Sequence, residues 1–327
     1  MNKFVTLLSR STLAVAILAS MSVGVQAQVQ VERLPMRPLD MNPDAINKLR
    51  AVPTSVESRA LKREQTGSAP VAASVPLTNA AALSSFRLTF ENSDHPIRTL
   101  GVLKRPDGTA DLDLLDSNGD DPVSAYATWQ IIPGAIGGEV SARTTSGGIF
   151  QIAVPPGPLG HRLVLGGFRV NNGGSIGPFE SGDTQIELIS INAHDNFPQP
   201  STNPNSSISG TIRTDDGTRP IAVTIQYVWI PASFITMSSS ARNQSTPPRV
   251  NGLVRQVSEI VGQVPSTDKY VIKSFEFEFL NGSHHLLSLG VHLNGATMTS
   301  RSNEAVSFQD NNRDDPIRWS VAFYQVN

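Results

Sequence analysis

Residues 86–102, FRLTFENSDHPIRTLGV, align without a gap on residues 275–291, FEFEFLNGSHHLLSLGV. A second block, DSNGDDPV starting at Asp116, aligns in the same order on DNNRDDPI starting at Asp310. Two ungapped matches in the same order indicate an internal repeat, because self-similarity at a fixed period is the mark of duplicated structural units. The duplicated stretch has the length of a small domain.

A third, weaker copy is expected between these two. Residues 161–166 (HRLVLG) resemble the HHLLSLG part of the later segment, and residues 216–221 (DGTRPI) stand where the DDPV block would be. The predicted organisation is therefore a signal peptide, a Pro-rich linker or arm, and three β units, of which the middle one is divergent. The predicted boundaries are 1–27, 28–83, 84–133, 134–231 and 232–327.

The spacing of apolar residues predicts the fold class. Phe86, Leu88 and Phe90 alternate with polar residues, which is the period of a half-buried β-strand. Strands with the same period follow three prolines, and each places a tryptophan on its apolar face: Trp129, Trp229 and Trp319. One apolar and one polar face per strand is typical of antiparallel sheets packed as a sandwich. We therefore predict an all-β fold of tandem antiparallel β-sandwich-like repeat units, with an extended N-terminal arm and little helix.

The opposite strand faces are predicted to meet solvent. They carry Gln130, Gln226, Tyr126 and Tyr324, and the two tyrosines are the candidates for an exposed aromatic platform. Turn pairs predict a hairpin in each unit, because Asn-Gly and Asp-Gly favour tight hairpin turns: Asp107-Gly108, Asn172-Gly173 and Asn294-Gly295. One short amphipathic helix is predicted between residues 253 and 264.

The first residues have the pattern of an export signal. Lys3 and Arg10 precede an apolar segment, LAVAILA at residues 13–19, and Val25 and Ala27 provide the small residues of a cleavage site. Cleavage is expected before Gln28. No later stretch is long and apolar enough to span a bilayer. The mature protein is therefore expected to be periplasmic or secreted, with no transmembrane segment.

Composition excludes several kinds of chemistry. The chain of 327 residues has no cysteine, which excludes disulfide scaffolds, thiol nucleophiles and zinc-thiolate sites. The net charge of −2 is too mild to indicate a nucleic-acid partner. The motifs GxSxG, HExxH, GxxxxGK[ST] and helix-opening GxGxxG do not occur, so no catalytic residues are assigned.

An acidic loop occurs in both strong copies of the repeat and is the candidate metal site. Calcium binds six to eight hard oxygens, and a tight loop with oxygen ligands at alternate positions can supply them. The pattern is not that of an EF-hand, because Asp stands where that loop needs Gly. A polar turn whose side chains bond their own backbone is the alternative. The candidate ligands are Asp116, Asn118, Asp120 and Asp121, with their counterparts Asp310, Asn312, Asp314 and Asp315.

These patterns together predict an exported, non-enzymatic β-repeat protein. It would act as a binding or structural and assembly module at the cell surface or in the periplasm, with calcium as the one candidate cofactor. The expected partner is a surface glycan or a protein, and self-assembly is a further option. The alternative hypothesis is a secreted carbohydrate-active hydrolase that uses paired carboxylates.

Overall fold

The computed structural model describes residues 54–63, 70–71, 78, 80–90, 97–116, 122–172, 185–195, 206–215, 220–243, 269–280, 286–292, 306–310 and 317–327. All of them belong to one unit, Arg50–Asn327, and the other unit, Met1–Leu49, lies outside the described residues. The predicted signal peptide and the predicted helix over residues 253–264 also lie outside them.

The described residues form β-strands and a single turn of 3-10 helix, Ala232–Phe234. In chain order the strands are β1 (Thr54–Arg63), β2 (Pro70–Val71), β3 (Ala81–Phe90), β4 (Ile97–Lys104), β5 (Ala110–Asp116), β6 (Pro122–Ile131), β7 (Ile136–Arg143), β8 (Ile149–Ala153), β9 (His161–Asn171), β10 (Ile186–His194), β11 (Ser207–Thr214), β12 (Ala222–Pro231), β13 (Ile235–Asn243), β14 (Lys269–Phe279), β15 (Leu286–His292), β16 (Val306–Asp310) and β17 (Ile317–Val326). The predicted all-β, sandwich-like class with little helix is confirmed. Across these described ranges there is no helix with the length and apolar character needed to cross a membrane.

The strands form three sheets. Sheet A has the order β1-β6-β3-β15-β16, sheet B the order β2-β5-β4-β9-β12-β7, and sheet C the order β13-β17-β14-β10-β11-β8. Neighbouring strands pair antiparallel in all three. Within the predicted arm, β1 lies along β6 and β2 lies along β5.

The same set of pairings occurs in each sheet. In sheet A the pair β3–β6 lies beside the pair β15–β16. In sheet B the pair β9–β12 lies beside β4–β5, and in sheet C the pair β14–β17 lies beside β10–β11. The two pairs meet through β3–β15, β9–β4 and β14–β10. Each predicted unit therefore contributes strands to two sheets. The duplication itself and the predicted unit boundaries stay predictions.

Three phenylalanines, one from each sheet, meet at the centre of the core. The ring centroid of Phe86 lies 5.1 Å from that of Phe168 and 5.4 Å from that of Phe275, and the Phe168 and Phe275 centroids lie 5.2 Å apart. Each ring therefore touches the other two. Their cross-strand partners also match, because Phe86 lies opposite Val291, Phe168 opposite Val102, and Phe275 opposite Ile191. The three sheets therefore enclose one common core.

This arrangement corrects the predicted alignment of the middle copy. Strand β9 pairs with β4 and β12, just as β3 pairs with β15 and β6. Phe168 therefore stands where Phe86 and Phe275 stand. The prediction that residues 161–166 match β15 is wrong by one strand, because a short apolar stretch fits either strand pattern.

A bulge interrupts each of β3, β9 and β14 two residues before its core phenylalanine. The registers skip Ser84, Gly166 and Lys273, respectively. A bulge exchanges the two faces of a strand, because side chains alternate with a period of two. If odd-numbered residues face the core on one side of a bulge, even-numbered residues therefore face it on the other side.

A second buried cluster lies at the ends of these strands, on the faces opposite those that line the common core. It includes Val164, Val228, Val271 and Tyr324. Tyr324 is only 6% exposed, so the prediction of an exposed platform is wrong for this residue. The prediction that Gln130 and Gln226 meet solvent is also wrong, since both are buried. Simple alternation leaves one face of each strand open to solvent, whereas these strand ends are covered on both faces.

The predicted burial of the three tryptophans is confirmed. Trp129, Trp229 and Trp319 are 0%, 6% and 1% exposed. The Trp129 indole N–H donates a 2.8 Å hydrogen bond to the carbonyl oxygen of Gly166, the bulge residue of β9. Because Trp129 belongs to sheet A and Gly166 to sheet B, this bond joins the two sheets beside the site described next.

Candidate functional site

A pocket of about 260 Å³ opens on sheet B, between the turn after β4 and the edge strand β7. Its described lining is short and contains both polar and apolar groups: Lys104, Pro106, Gly138, Glu139 and Gln226. We call it the Lys104 pocket. The residues come from β4, β7 and β12, where strand pairing holds them in place, except for Pro106, which lies in the turn after β4.

The floor of the pocket is a side-chain amide that takes the place of a backbone pair. The ladder between β4 and β9 ends at Val102 opposite Phe168. Beyond it, the Lys104 N–H donates to Gln226 Oε1 at 2.8 Å, and Gln226 Nε2 donates to the Lys104 carbonyl at 2.7 Å. An amide group has the same donor and acceptor as a peptide unit, so Gln226 continues the ladder where β9 bulges away.

The same amide fixes the carboxylate of the pocket. Gln226 Nε2 also donates to Glu139 Oε2 at 3.0 Å, across the β7–β12 pair in which Glu139 lies opposite Gln226. Among the residues that the structure describes, Glu139 Oε1 has no hydrogen-bond partner. The pocket therefore offers one oriented, ionisable acceptor to a ligand.

Lys104 extends from sheet B into the seam with sheet A. Its side-chain amine donates to the carbonyl oxygen of Ala81, the first residue of β3, and the residue is 4% exposed. A Cβ atom at Gly166 would lie 2.6 Å from Lys104 Nζ and 2.9 Å from a methyl of Val228, so a side chain there would force one of them to shift. Burial lowers the pKa of Lys104 to about 7, and the nearby Glu139 carboxylate opposes part of the shift. The amine is therefore partly uncharged near neutral pH. We call this contact region the AB seam.

The corresponding region between sheets B and C, the BC seam, contains an ion cluster around Asp195. Lys273 Nζ lies 3.1 Å from Asp195 Oδ1, and Arg162 Nε lies 3.9 Å from Asp195 Oδ2. Tyr324 donates its hydroxyl to Asp195 Oδ2 at 3.4 Å. Lys273 Nζ also lies 5.5 Å from the centre of the Tyr324 ring. One carboxylate therefore holds three donors.

The charges in the BC seam act on its titrating groups in a consistent direction. Burial acts to lower the pKa of Lys273, but the interactions with Tyr324 and Asp195 outweigh it and raise that pKa. Burial and the charge of Asp195 raise the pKa of the Tyr324 hydroxyl. Lys273 therefore stays charged and Tyr324 stays neutral at physiological pH, which is the state that the cluster needs.

The outer face of sheet B carries a pair of carboxylates that arginines occupy. Arg169 bonds Asp113 through Nε and Asp111 through Nη2, and Arg105 bonds Asp111 at 2.6 Å. A hydrolase with two carboxylates needs one of them free to take or give a proton. Asp111 and Asp113 are therefore read as a structural ion-pair ladder.

The structure describes two of the eight candidate calcium ligands. Asp116 is fully buried and ends β5 opposite Ile97, while Asp310 ends β16 opposite Leu286. The remaining candidates, Asn118, Asp120, Asp121, Asn312, Asp314 and Asp315, lie outside the described residues. Over the described ranges, no group of three or more His, Asp or Glu side chains is placed to hold a metal ion. Calcium binding at these loops stays a prediction.

The sequence did contain one signal for the Lys104 pocket that pattern reasoning missed. Lys104 continues the buried series Leu100 and Val102 at a spacing of two, so parity places a charged residue on the apolar face of β4. The partners Glu139 and Gln226 gave no such signal, because nothing local to them indicates that β4 and β12 come together.

Comparison with known proteins adds no assignment to this site, since no protein-family model and no curated protein matches the chain.

Proposed function

We propose that the protein is an exported, non-enzymatic binding module and that the Lys104 pocket is its binding site. The observation that carries this proposal is the oriented Glu139 carboxylate on a floor made by the Gln226 amide. Binding sites are typically concave, with a few fixed polar groups that orient the ligand. Export is supported by the signal-like pattern of residues 1–27.

The pocket suits binding because its polar groups are already in place. Glu139 is on β7, Gln226 is on β12, and their backbones pair directly. A site that needs no ordering of loops loses little conformational entropy when a ligand enters. The partner, a surface glycan or a protein, would then meet the open side of sheet B at the cell surface or in the periplasm.

A pocket-filling variant tests this proposal. The chain from Gln28 onward is screened on a glycan array and in a pull-down with surface extracts, with Pro106→Trp as the test variant. Pro106 is exposed in the turn and lines the pocket, so a large ring there should obstruct the pocket. Loss of the wild-type ligand in Pro106→Trp, but not in Ser141→Ala on the same edge strand, supports the proposal. Equal binding by all three proteins contradicts it.

The hydrolase alternative is tested in the same samples. The described lining of the pocket has one carboxylate, Glu139, whereas a glycosidase of this class uses two. Cleavage of a bound glycan, lost in Glu139→Gln, would favour the hydrolase. Binding without turnover supports the module.

We propose calcium binding at the acidic loops as a separate property. It is supported by the matched positions of Asp116 and Asp310, each of which ends its strand opposite the first residue of the preceding strand. Calcium would relieve carboxylate repulsion and stabilise the folded state by about 2.7 kcal/mol at a hundredfold excess over its dissociation constant. Millimolar calcium should raise the melting temperature, EDTA should reverse the rise, and magnesium should substitute poorly. Asp310→Ala combined with Asp314→Ala should abolish most of the rise. A melting temperature that changes with neither calcium nor EDTA would show that the loops are polar turns that do not bind calcium.

A further inference from the structure

We infer that the Lys104 pocket binds one neutral sugar ring, whose hydroxyl groups donate hydrogen bonds to the Glu139 carboxylate. This inference rests on the proposed function, because it names the ligand class of the same site. It follows from the size of the pocket, from the hydrogen-bonding groups that remain unused in its lining, and from the charges around it.

The volume limits the ligand to a single ring. The pocket holds about 260 Å³, less than the roughly 300–1,000 Å³ of pockets that take drug-sized molecules. One pyranose ring with a few waters is of this scale, whereas a peptide segment or a nucleotide is larger. Pro106 and Gly138 form walls without polar side chains, against which the C–H face of a ring can lie.

Glu139 is exposed to solvent, so its carboxylate has hydrogen-bonding capacity that a donating ligand can use. The Gln226 amide is engaged on both sides, with Lys104 and with Glu139. The Lys104 backbone groups bond that same amide, so they offer nothing further in this direction. The free acceptor in the described lining is Glu139 Oε1, which can accept from the hydroxyls of a vicinal diol.

The surrounding charges favour a neutral donor over an ion. An anion would be repelled by Glu139, and a calcium ion needs six to eight oxygens where the described lining has one carboxylate. An organic ammonium ion would compete with Lys104, a residue of the same lining whose charge already interacts favourably with Glu139. Hydroxyl groups can use the carboxylate without any of these penalties.

The test uses the chain from Gln28 onward and a panel of methyl pyranosides of the gluco, manno, galacto and N-acetylglucosamine types. Binding is followed by saturation-transfer NMR and titration calorimetry. At least one pyranoside should bind, and Glu139→Ala should weaken it about tenfold or more, because a charge-assisted hydrogen bond is lost. Glu139→Gln should weaken it less, since the amide oxygen still accepts. Ser141→Ala, which changes an exposed hydroxyl on the same strand, should bind like the wild type.

Several outcomes would overturn the inference, and they separate it from the proposed function. Methylammonium or acetate that binds in a Glu139-dependent way, with no pyranoside bound, contradicts the sugar but keeps the pocket as a binding site. A pyranoside whose affinity is the same in wild type, Glu139→Ala and Pro106→Trp contradicts both. No binding of any pyranoside at millimolar concentration by a folded wild-type chain contradicts the sugar alone. Circular dichroism and melting of each variant establish that it is folded.

Discussion

The AB seam and the BC seam each place a lysine beside a strand bulge, but the two lysines are stabilised in different ways. In the AB seam, Lys104 comes from the strand that faces the bulge, and the bulge residue is Gly166. In the BC seam, the lysine is itself the bulge residue, Lys273, and the facing strand ends beside Asp195. Lys104 has a carbonyl partner and Lys273 has a carboxylate.

The difference shows what sets the charge of a buried lysine. Lys104 is buried and Lys273 is partly buried, and burial acts to lower both pKa values. A carboxylate in contact restores the preference for the charged form at Lys273, whereas the more distant Glu139 does so incompletely at Lys104. At low pH, Lys273 therefore stabilises the folded state, whereas Lys104 destabilises it.

Replacing Lys104 by Met should have the largest effect, and the effect should depend on pH. The folded pKa of about 7 lies below the ordinary value of 10.5. Below pH 7 both states are protonated and the burial penalty is fully present. Between these pKa values the unfolded chain binds more protons, so the stability of the wild type rises with pH. The burial penalty is on the order of 5 kcal/mol, and Lys104→Met regains this less about 1 kcal/mol for the lost bond to Ala81.

Urea unfolding at pH 6, 8 and 10 measures this prediction. Lys104→Met should be more stable than the wild type at pH 6, and the advantage should shrink toward pH 10. Lys273→Met is the matched control and should have the opposite sign, since its raised folded pKa stabilises the wild type below about pH 10. A stability difference for Lys104→Met that is the same at all three pH values would show that the amine is not titrating.

Removing Asp195 should produce the next largest effect. Asp195→Ala leaves Lys273, Arg162 and Tyr324 without their shared acceptor. Loss of one partner of a buried pair costs about 3–5 kcal/mol, but Lys273 is 28% exposed, so about 2–3 kcal/mol is expected at pH 7. Glu187→Ala, which breaks a more exposed pair with Arg213, should cost under about 1 kcal/mol. Equal losses for the two variants would remove the distinction between seam and surface.

A methyl group at Gly166, the bulge residue of β9 in the AB seam, tests whether burial of the Lys104 amine requires glycine at this position. Gly166→Ala places a carbon 2.6 Å from Lys104 Nζ and 2.9 Å from a methyl of Val228. Overpacking of this kind costs about 1–3 kcal/mol. In a Lys104→Ala background the cost should fall, and the double-mutant cycle gives the coupling between the two positions. Strict additivity would mean that Val228, not the amine, sets the need for glycine.

The smallest effect is expected at the rim of the BC seam. Arg162 Nε lies 3.9 Å from Asp195 Oδ2, longer than the contact made by Lys273. Arg162→Gln should therefore lower the free energy of unfolding by about 0–1 kcal/mol. Thermal melting at low and high salt measures it, with the loss confined to low salt. A loss as large as that of Asp195→Ala would place Arg162 at the centre of the cluster.

Local sequence predicts the strands well because each strand has its own alternation. The period around Phe86 and the buried Trp129, Trp229 and Trp319 follow from side chains on one face. The bulges are different, because a register shift depends on the partner strand. Nothing in residues 161–171 shows that Gly166 is skipped by β12, yet this shift opens the space for Lys104 and the Gln226 amide. Tyr324 was misjudged for the same reason, since the cover over its face comes from other sheets.

The pairing of β15 with β3 has a consequence for the order in which the chain can be completed. Ser85 Oγ bonds the Val291 carbonyl across 206 residues, and Arg87 lies opposite Gly290. Contacts this distant in sequence slow folding, because a long loop must close before they form. While the chain is being synthesised from its N-terminus, β3 can pair with β6 early but not with β15. Until the last part emerges, β3 exposes an unpaired edge to other chains. A fragment that stops before Leu286 should therefore be prone to associate through β3, and adding back a peptide of residues 286–310 should suppress that association.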